Sequence, residues 1–422
     1  MRYESKAEFF MAILQKIKSL IRSNPDLYRT IIPIYWKLTG SQLKLYNKKT
    51  LNRFRQVKWD EIKELSTQLK GTYLMEPSIL WLGNLLQRPQ HMALAMGKIG
   101  FLSLYNDFGV PPQTFYEIGK NVFLTGPDKT LYSLPKVLRV IYSTCFPYTP
   151  KTINETRTDS QVIIYELVDD LNPEISGNIT NDLVQLYRFM VRERNSDLVV
   201  VTAKKLMEQV INDGFPEEKV LYLPNGVEVE HFQNPPNISF DKNLSEFLQK
   251  FPVIVGYHGA IAPWLWFDVI QDLINMMKDV GFLFIGPLYD INKFPLRGDN
   301  VYWTGRVEYE VLPAYVKHYT IGWIPFKPGP IAKSTSPLKL FEYFASGKPA
   351  VVSSDMLECT QFPVVFSGNG TLELKQAIEQ ALEKSTDETF KKQLMQLAME
   401  HTWENRARTL EQFLSQQVAI VS

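Results

Sequence analysis

The 422-residue sequence contains few of the side chains from which disulfide frameworks and metal sites are built. Its two cysteines, Cys145 and Cys359, cannot form such a framework or a cysteine zinc site, and we expect them to be reduced and structural. The five histidines are scattered without the spacing of metal ligands. A disulfide-stabilised secreted domain and a zinc protein are therefore not expected.

Net charge and long apolar runs are also absent. The chain has 46 Lys and Arg against 45 Asp and Glu, whereas a dedicated nucleic-acid-binding protein normally carries a marked basic excess. No apolar run reaches the roughly 18 residues of a membrane-spanning helix, and the N-terminus lacks the apolar segment of a signal peptide. These absences predict a cytoplasmic protein that binds no nucleic acid and does not span a membrane.

The signature motifs of the commonest α/β enzymes are absent as well. No G-x-G-x-x-G follows a predicted strand, and the sequence has no Walker A, H-E-x-x-H or G-x-S-x-G motif. A dinucleotide oxidoreductase, a P-loop nucleotide hydrolase, a zinc protease and an α/β-hydrolase are therefore not expected. We predict no resident cofactor.

Two successive sets of alternating β-rich and helical patterns fill most of the chain. Hydrophobic residues make up 45% of it and aromatic residues 13%, which is ample for two packed cores. The alternation predicts two Rossmann-like, doubly wound α/β domains that face a cleft. The predicted strands are Ser78–Gly83, Phe101–Asn106, Asn121–Thr125, Val162–Leu167, Leu198–Thr202 and Val220–Leu223, and then Val253–Tyr257, Gly281–Ile285, Val301–Thr304, Ile321–Pro325 and Ala350–Ser353.

The patterns divide the chain into four predicted segments. They are a basic helical N-terminal extension (1–60), an N-terminal Rossmann-like domain (61–240), a C-terminal Rossmann-like domain (241–400) and a C-terminal helix (401–422).

The extension carries most of the positive charge of the chain. It has thirteen Lys and Arg against four Asp and Glu, and an apolar stripe from Phe9 to Ile21 lies beside Lys16, Lys18 and Arg22. Three roles remain open for it. The first is a helix that packs on the first domain with a solvated basic face. The second is docking on an anionic membrane surface through residues 1–58, and the third is contact with a partner protein.

The segment Ser334–Pro349 carries the richest pattern for chemistry. Hydroxyl residues precede Pro337, a helix is predicted to follow, and a glycine ends it. The free backbone N–H groups at such a helix start, with Ser336 and Lys339, suit a diphosphate, and Glu342 suits the vicinal hydroxyls of a ribose. The spacing alone fits a capped amphipathic helix with a surface Lys and Glu equally well.

Six motifs occur in order along the chain. They are Gln87–Ala93 (QRPQHMA), Tyr165–Leu171 (YELVDDL), Pro224–Phe232 (PNGVEVEHF), Gly256–Ile261 (GYHGAI), Asn300–Arg306 (NVYWTGR) and Pro337–Pro349 (PLKLFEYFASGKP). Together they resemble glycosyltransferases of the two-Rossmann (GT-B) fold, especially family 4 and its bacterial surface-polysaccharide subgroup, of the teichuronic acid biosynthesis type. The resemblance covers Ser78–Leu414, and it implies a nucleotide-diphosphate sugar donor and a lipid-linked or polysaccharide acceptor.

The resemblance also implies where the donor binds. The nucleotide is expected in the C-terminal domain, and the segment 401–422 is expected to cross back to the N-terminal domain. The predicted donor-binding residues are Gly259, Arg306, Thr335, Ser336, Pro337, Leu338 and Glu342, with Lys339 as a catalytic cation.

The N-terminal domain is expected to supply the acceptor side and two acids. Arg88, Gln90 and His91 follow the first predicted strand and should face the cleft, with a solvated helix start as the alternative. Asp169 and Asp170 end a strand where the family contacts the sugar, and we predict that they are catalytic. A metal site and a helix N-cap are the alternatives for these two acids.

The sequence departs from the family pattern at two points. Family 4 members usually carry two glutamates separated by seven residues; Glu342 matches the second, but the first falls on Ser334. They also place an Arg and a Lys in the first C-terminal loop, whereas Gly259–Trp266 contains no cation. Lys339 and Arg306 are the predicted replacements, because a buried diphosphate needs positive partners.

The resemblance therefore implies a retaining glycosyltransferase. We predict that it needs no metal and that it is cytoplasmic or peripheral on the inner face of the membrane. Two alternatives remain, a non-catalytic scaffold of a polysaccharide assembly complex and a sugar-nucleotide epimerase of the same fold.

Overall fold

The structure is a computed structural model that describes residues 51–83, 85–144, 149–171 and 180–417. The predicted apolar stripe from Phe9 to Ile21 and Cys145 lie outside the described residues. The predicted boundary at residue 60 falls inside the helix Trp59–Gln68, and the strand Arg55–Val57 before it pairs with the first sheet. The first domain therefore includes residues that the patterns place in the extension.

Nine strands form the first sheet, in the order β1-β4-β5-β3-β2-β6-β7-β8-β9. Strand β4 is antiparallel to its two neighbours, β1 and β5, and every other pair of neighbouring strands in this sheet is parallel. The strands are β1 (Arg55–Val57), β2 (Thr72–Met75), β3 (Leu102–Asn106), β4 (Phe115–Gly119), β5 (Val122–Thr125), β6 (Val137–Tyr142), β7 (Gln161–Leu167), β8 (Leu198–Val201) and β9 (Val220–Tyr222).

Six parallel strands form the second sheet, in the order β12-β11-β10-β13-β14-β15. The order reverses between β10 and β13, and ligands of doubly wound sheets bind outside the carboxyl ends of the strands at such a point. The strands are β10 (Ile254–His258), β11 (Gly281–Ile285), β12 (Val301–Trp303), β13 (Ile321–Ile324), β14 (Ala350–Ser353) and β15 (Val365–Gly368).

Helices cover both sheets. Over the described residues the α-helices are α1 (Trp59–Gln68), α2 (Arg88–Lys98), α3 (Pro150–Thr156), α4 (Thr180–Tyr187), α5 (Lys204–Asn212), α6 (Val229–Gln233), α7 (Lys242–Lys250), α8 (Phe267–Met276), α9 (Leu312–Val316), α10 (Pro330–Ser334), α11 (Leu338–Ala345), α12 (Leu357–Thr360), α13 (Thr371–Lys384), α14 (Glu388–Glu400) and α15 (Trp403–Gln417). Short 3-10 helices span Lys129–Ser133, Glu217–Lys219 and Tyr309–Val311, and a π-helical turn spans Arg188–Arg192. No helix among the described residues is long and apolar enough to cross a bilayer.

The predicted fold class is confirmed, but one predicted strand is wrong. The first parallel strand is Thr72–Met75, whose four residues are buried, and Ser78–Gly83 lies in the loop that follows it. The apolar run of that loop is used for packing, because Trp81 meets the ring of Tyr105 edge-on at 5.1 Å. A short apolar run therefore does not by itself distinguish a buried strand from a buried loop.

The last helix belongs to the core of the first sheet, although it follows the second sheet in the chain. Trp403, Ala407, Leu410 and Leu414 of α15 are buried in one apolar cluster with residues of β2, β3 and α2. The chain therefore connects the two halves twice, through the residues after β9 and through the start of α15.

Candidate active site

Helix α11 starts on the carboxyl side of β13, next to the point where the second sheet reverses its order. Its N-cap, Pro337, makes no side-chain capping hydrogen bond. Because the first N–H groups of a helix have no partner within it, such a start carries partial positive charge. The helix ends before Gly347 (φ 62°), where the N–H of Lys348 donates to the carbonyl of Tyr343 at 2.9 Å. The start of α11 is thus a backbone site suited to an anion.

Lys339 in the first turn of α11 is the cation of this site. Its Nζ lies 5.2 Å from the ring centre of Tyr257 and 5.5 Å from that of Phe326, and a Cβ at Gly259 would lie 3.3 Å from it. No described carboxylate forms an ion pair with it. Burial lowers the pKa of Lys339 to about 8, although the negative charge of Glu342 opposes the shift. The geometry brings Gly259 and Lys339 together.

Glu342 lies one turn further along α11 and is only 6% exposed. Its Oε2 lies 2.7 Å from Nε2 of His258 at the end of β10. Burial alone would raise the pKa of Glu342, but the hydrogen bond from His258 and the positive charge of Lys339 leave the pKa lowered. Glu342 is therefore an ionised carboxylate that is already held on one side.

Ser336, the residue before Pro337, is hydrogen-bonded to the first domain. The N–H of Asn225 donates to Ser336 Oγ at 3.2 Å, and Asn225 Nδ2 donates to the Ser336 carbonyl. Asn225 Oδ1 accepts from Arg88 Nη1 at 3.2 Å, and its carbonyl accepts from Arg406 Nε at 3.1 Å. Because Asn225 is 2% exposed, these bonds form a buried hub that anchors the start of α11 to the first domain and to α15.

Asp169 and Asp170 follow β7 on the first-domain side and are partly buried. Burial and the neighbouring charge of Asp170 raise the pKa of Asp169 to about 6, while Lys339 opposes the shift. Burial also raises the pKa of Asp170, against a hydrogen bond from the N–H of Leu171. The attraction between Asp169 and Lys339 means that an acid of the first domain and a cation of the second lie near each other. No three His, Cys, Asp or Glu side chains of the described residues are grouped so as to hold a metal ion.

Arg306 extends from the end of β12 toward the first domain. Its Nη2 donates to the carbonyl of Gly83 at 3.3 Å and to Oε2 of Glu308 at 3.0 Å. The side chain is 38% exposed. Arg306 therefore lies at the junction of the two halves, but it is paired with a carboxylate, whereas Lys339 is not.

The hydroxyl groups of Ser334 and Thr335 are hydrogen-bonded within α10. Thr335 Oγ1 donates to the carbonyl of Ile331 at 2.7 Å, and Ser334 Oγ donates to a carbonyl of the same helix at 2.8 Å. Ser334 is 2% exposed, and its hydroxyl is used within α10. Pro337 is buried, and Leu338 packs against the apolar cluster of the first domain.

Arg88 and Gln90, predicted to face the cleft from the acceptor side, are buried instead. Arg88 is 1% exposed, and its Nε donates to Glu166 Oε1 at 2.9 Å. Gln90 is fully buried and forms a capping box, in which its Oε1 accepts from the N–H of Gln87 at 2.8 Å. The physical reason is that the first turn of α2 is covered by α15 and by the loop of Asn225.

His91 is also buried, at 1% exposure. Its ring stacks on Trp403 at 4.9 Å and meets Tyr309 edge-on at 5.3 Å, and neither ring nitrogen has a hydrogen-bond partner. Burial lowers the pKa of His91 to about 4, so the ring is neutral near pH 7. His91 is thus part of the packing between the halves, which differs from the predicted cleft-facing position.

No protein-family model matches the chain. The curated protein "Putative teichuronic acid biosynthesis glycosyltransferase TuaH" of Bacillus subtilis (strain 168) is 29% identical over 259 residues. The match covers 57% of this chain and 64% of TuaH, which is less than two thirds of the length of that relative.

Several solved structures share the architecture over most of the chain. The sucrose-phosphate synthase from Thermosynechococcus elongatus has a TM-score of 0.59 at 14% identity, over 82% of this chain and 98% of that one. The UDP-forming trehalose-phosphate synthase from Burkholderia vietnamiensis has a TM-score of 0.61 at 12% identity, over 83% and 98%. Anabaena HepE, in complex with UDP and glucose, has a TM-score of 0.54 at 14% identity, over 82% and 99%.

These neighbours are GT-B glycosyltransferases, and identities this low establish the fold alone. The chain has the GT-B fold. The resemblance to glycosyltransferases of the teichuronic acid type that the motifs indicate is confirmed by the sequence similarity to TuaH.

Two residues with central contacts in this GT-B chain do not stand out in its sequence. Asn225 belongs to an Asn-Gly pair, which is also a common turn signal. His258 has its partner Glu342 84 positions further along the chain, so no local spacing indicates the pair. Both residues do stand inside motifs that resemble the family, and that is the one signal that points to them.

Replacing Asn225 by alanine should loosen the start of α11 in the GT-B cleft. The change leaves buried partners of Asn225 unsatisfied, so we expect Asn225→Ala to lower the free energy of unfolding by about 2 kcal/mol. Backbone amides of residues 336–340 should exchange hydrogen faster. Hydrogen–deuterium exchange with mass spectrometry measures this. Asn234→Ala is the matched control, because that exposed amide donates only to the nearby carbonyl of Glu230. Equal exchange in both variants would contradict the anchoring role.

Proposed function

We propose that the protein is a glycosyltransferase that moves a sugar from a nucleotide-diphosphate donor to a lipid-linked or polysaccharide acceptor. The observation that carries the proposal is the pairing of an uncapped helix start with Lys339, a partly buried cation that no described carboxylate pairs with. A positive charge in this setting is costly unless an anion compensates it. A diphosphate at the start of α11 would supply the negative charge that compensates Lys339.

The donor would extend from the start of α11 along the helix. The diphosphate would contact the N–H groups of the first turn and Lys339, and the ribose hydroxyls would donate to Glu342. During transfer, the bond between the sugar carbon and the diphosphate oxygen breaks and negative charge grows on the diphosphate. Lys339 and the helix start would stabilise that charge more strongly in the transition state than in the bound donor.

The acceptor side of the proposal rests on Asp169 and Asp170. They belong to the first domain, and Asp169 interacts electrostatically with Lys339 of the second. This position suits a hydrogen bond to the transferred sugar or to the acceptor hydroxyl. We propose retention of the anomeric configuration without a protein nucleophile, as the family resemblance implies, and no metal, because Lys339 and the helix already supply positive charge.

The relatives narrow the donor and acceptor to be tested first. HepE is described in complex with UDP, and TuaH is named for teichuronic acid biosynthesis. We therefore propose a uridine diphosphate sugar and an acceptor of a bacterial surface polysaccharide.

A binding experiment tests the donor site. The wild-type protein should bind UDP in the presence of EDTA, and Lys339→Met should weaken binding by about tenfold or more, because a charge-assisted contact is lost. Isothermal titration calorimetry measures both. Lys333→Met is the matched control, since this Lys is 47% exposed and pairs with Asp355 outside α11. Equal affinities in all three proteins, or binding only with a divalent ion, would overturn this assignment.

The shifted pKa values of Asp169 and Lys339 predict a bell-shaped dependence of activity on pH. Asp169 must be ionised to accept a hydrogen bond, so activity should rise through its pKa of about 6. Lys339 must be protonated, so activity should fall through its pKa of about 8. Donor consumption as kcat/KM between about pH 5 and pH 9 reports both groups in the free enzyme. Asp169→Asn should lower activity and remove only the acid limb; an unchanged acid limb in that variant would exclude Asp169 as its origin.

A non-catalytic scaffold of a polysaccharide assembly complex remains the second candidate. The observation in its favour is Ser334, whose hydroxyl is buried and bonded within α10 where the family has its first glutamate. A scaffold would bind nucleotide weakly or not at all and would consume no donor. A sugar-nucleotide epimerase would consume donor without any acceptor, so donor-consumption assays with and without acceptor separate the three.

We also propose that the N-terminal extension docks the protein on an anionic membrane surface. The proposal rests on the sequence alone, because residues 1–50 lie outside the described residues. Neutralising Lys16, Lys18 and Arg22 to Gln in the full-length chain should abolish most sedimentation with phosphatidylglycerol vesicles, since each cation contributes about 1 kcal/mol near such a surface.

The control for membrane docking is a variant with the same change in net charge elsewhere. Lys151, Lys205 and Lys242 are exposed cations of the described domains, and their replacement by Gln should leave sedimentation unchanged. Added salt should weaken binding of the wild-type chain. Equal sedimentation of both triple variants would exclude docking through the extension.

A further inference from the structure

His258 and Glu342 form a buried pair at the carboxyl end of β10. Their Nε2 and Oε2 atoms lie 2.7 Å apart, and the two side chains are only 6% and 7% exposed. No other group of the described residues donates to this carboxylate. Since a buried carboxylate is costly without a compensating donor or charge, His258 controls the state of Glu342.

Two tyrosine rings hold the imidazole of His258 in place. Tyr343 meets it edge-on at 5.1 Å, and Tyr319 stacks on it at 6.2 Å. Gly256 and Gly322 are register partners on β10 and β13, and a Cβ at these positions would lie 2.2 Å and 2.3 Å from the respective tyrosine rings. The orientation of His258 is therefore built into the packing of two central strands.

The free edge of the imidazole indicates which nitrogen carries the proton. Nδ1 of His258 is buried and has no hydrogen-bond partner, whereas Nε2 faces a carboxylate oxygen. A neutral imidazole has one N–H, and this arrangement requires it on Nε2. Oε2 of Glu342 is thereby occupied, and Oε1 is left to accept a hydrogen bond from a ligand.

We infer that His258 is a positioning residue that fixes Glu342 for recognition of the ribose diol of a nucleoside diphosphate. The inference rests on the proposed function, because it takes Glu342 as the ribose ligand. A carboxylate that is already held in one orientation loses no further rotational freedom when a hydroxyl donates to it. Without His258, the carboxylate rotates or takes up a proton, and its preference for the diol falls.

Ligand discrimination in the full-length chain tests the inference. The probes are the tightest binder among UDP, GDP and ADP, its 2′,3′-dideoxy form, and inorganic pyrophosphate. Wild-type protein should prefer the ribose form by about tenfold. His258→Phe should reduce this preference to about twofold or less, and pyrophosphate affinity should stay the same. His258→Gln keeps an N–H donor near the position of Nε2 and should retain most of the preference.

Two controls separate positioning from folding. His318→Phe changes a half-buried histidine that packs on Phe240, away from Glu342, and should keep the wild-type preference. Thermal unfolding of each variant checks that it is folded. If His258→Phe does not fold, His258→Gln takes its place in the test. The ribose preference of His258→Gln should then exceed that of Glu342→Ala. A wild-type ribose preference in His258→Phe, or a preference in folded His258→Gln as low as in Glu342→Ala, would overturn the inference alone. Failure of the wild-type chain to bind any nucleotide would overturn the proposed function and the inference together.

Discussion

The hydrogen bonds between Asn225 and Ser336 join the two halves of the molecule at the start of α11, and the geometry of the site depends on them. The backbone N–H and carbonyl of Asn225 and its side-chain Oδ1 and Nδ2 atoms all form hydrogen bonds. Their partners lie on α2, on α15 and just before α11. A second buried contact supports the same junction, because Glu358 accepts from the N–H of Lys204 at 2.7 Å and from the hydroxyl of Tyr222. The helix start is thus held by the first domain as well as by its own sheet.

Two charged groups at this junction, Lys339 and Asp169, have pKa values shifted in opposite directions. The buried charges of Arg139 and Glu76 are paired, with their Nε and Oε1 atoms 2.6 Å apart at 0% exposure. Lys339 has no such partner among the described residues, and burial lowers its pKa. Asp169 has its pKa raised by burial and by its neighbour. Opposite shifts of an acid and a base in one cleft are typical of functional sites.

Much of the fold follows from sequence pattern, because parallel sheets leave a regular signal. Gly281–Ile285 and Ala350–Ser353 are strands with the predicted bounds, and each is a short apolar run between turn residues. Thr72–Met75 does not stand out in the sequence, because four buried residues give no periodicity and the more apolar loop after it resembles a strand. Pattern therefore identifies the architecture and leaves single elements uncertain.

The candidate site is less predictable, because its contacts join distant parts of the chain. Motif resemblance brings Gly259, Lys339 and Glu342 into one place, and the geometry agrees that they are neighbours. The same resemblance does not indicate that Arg88 is buried against Glu166, 78 positions away. Nor does it indicate the partner of Ser336, 111 positions away. Contacts between residues this far apart in the chain depend on tertiary packing, and the local spacing of residues in the sequence does not indicate them.

A crystal structure of the full-length protein with UDP tests the central claim most directly. The account predicts the diphosphate at the N–H groups of the first turn of α11, within hydrogen-bond distance of Lys339 Nζ, with the ribose hydroxyls on Glu342. A diphosphate bound beside Asp169 and Asp170 through a metal ion, with Lys339 distant from it, would contradict the account.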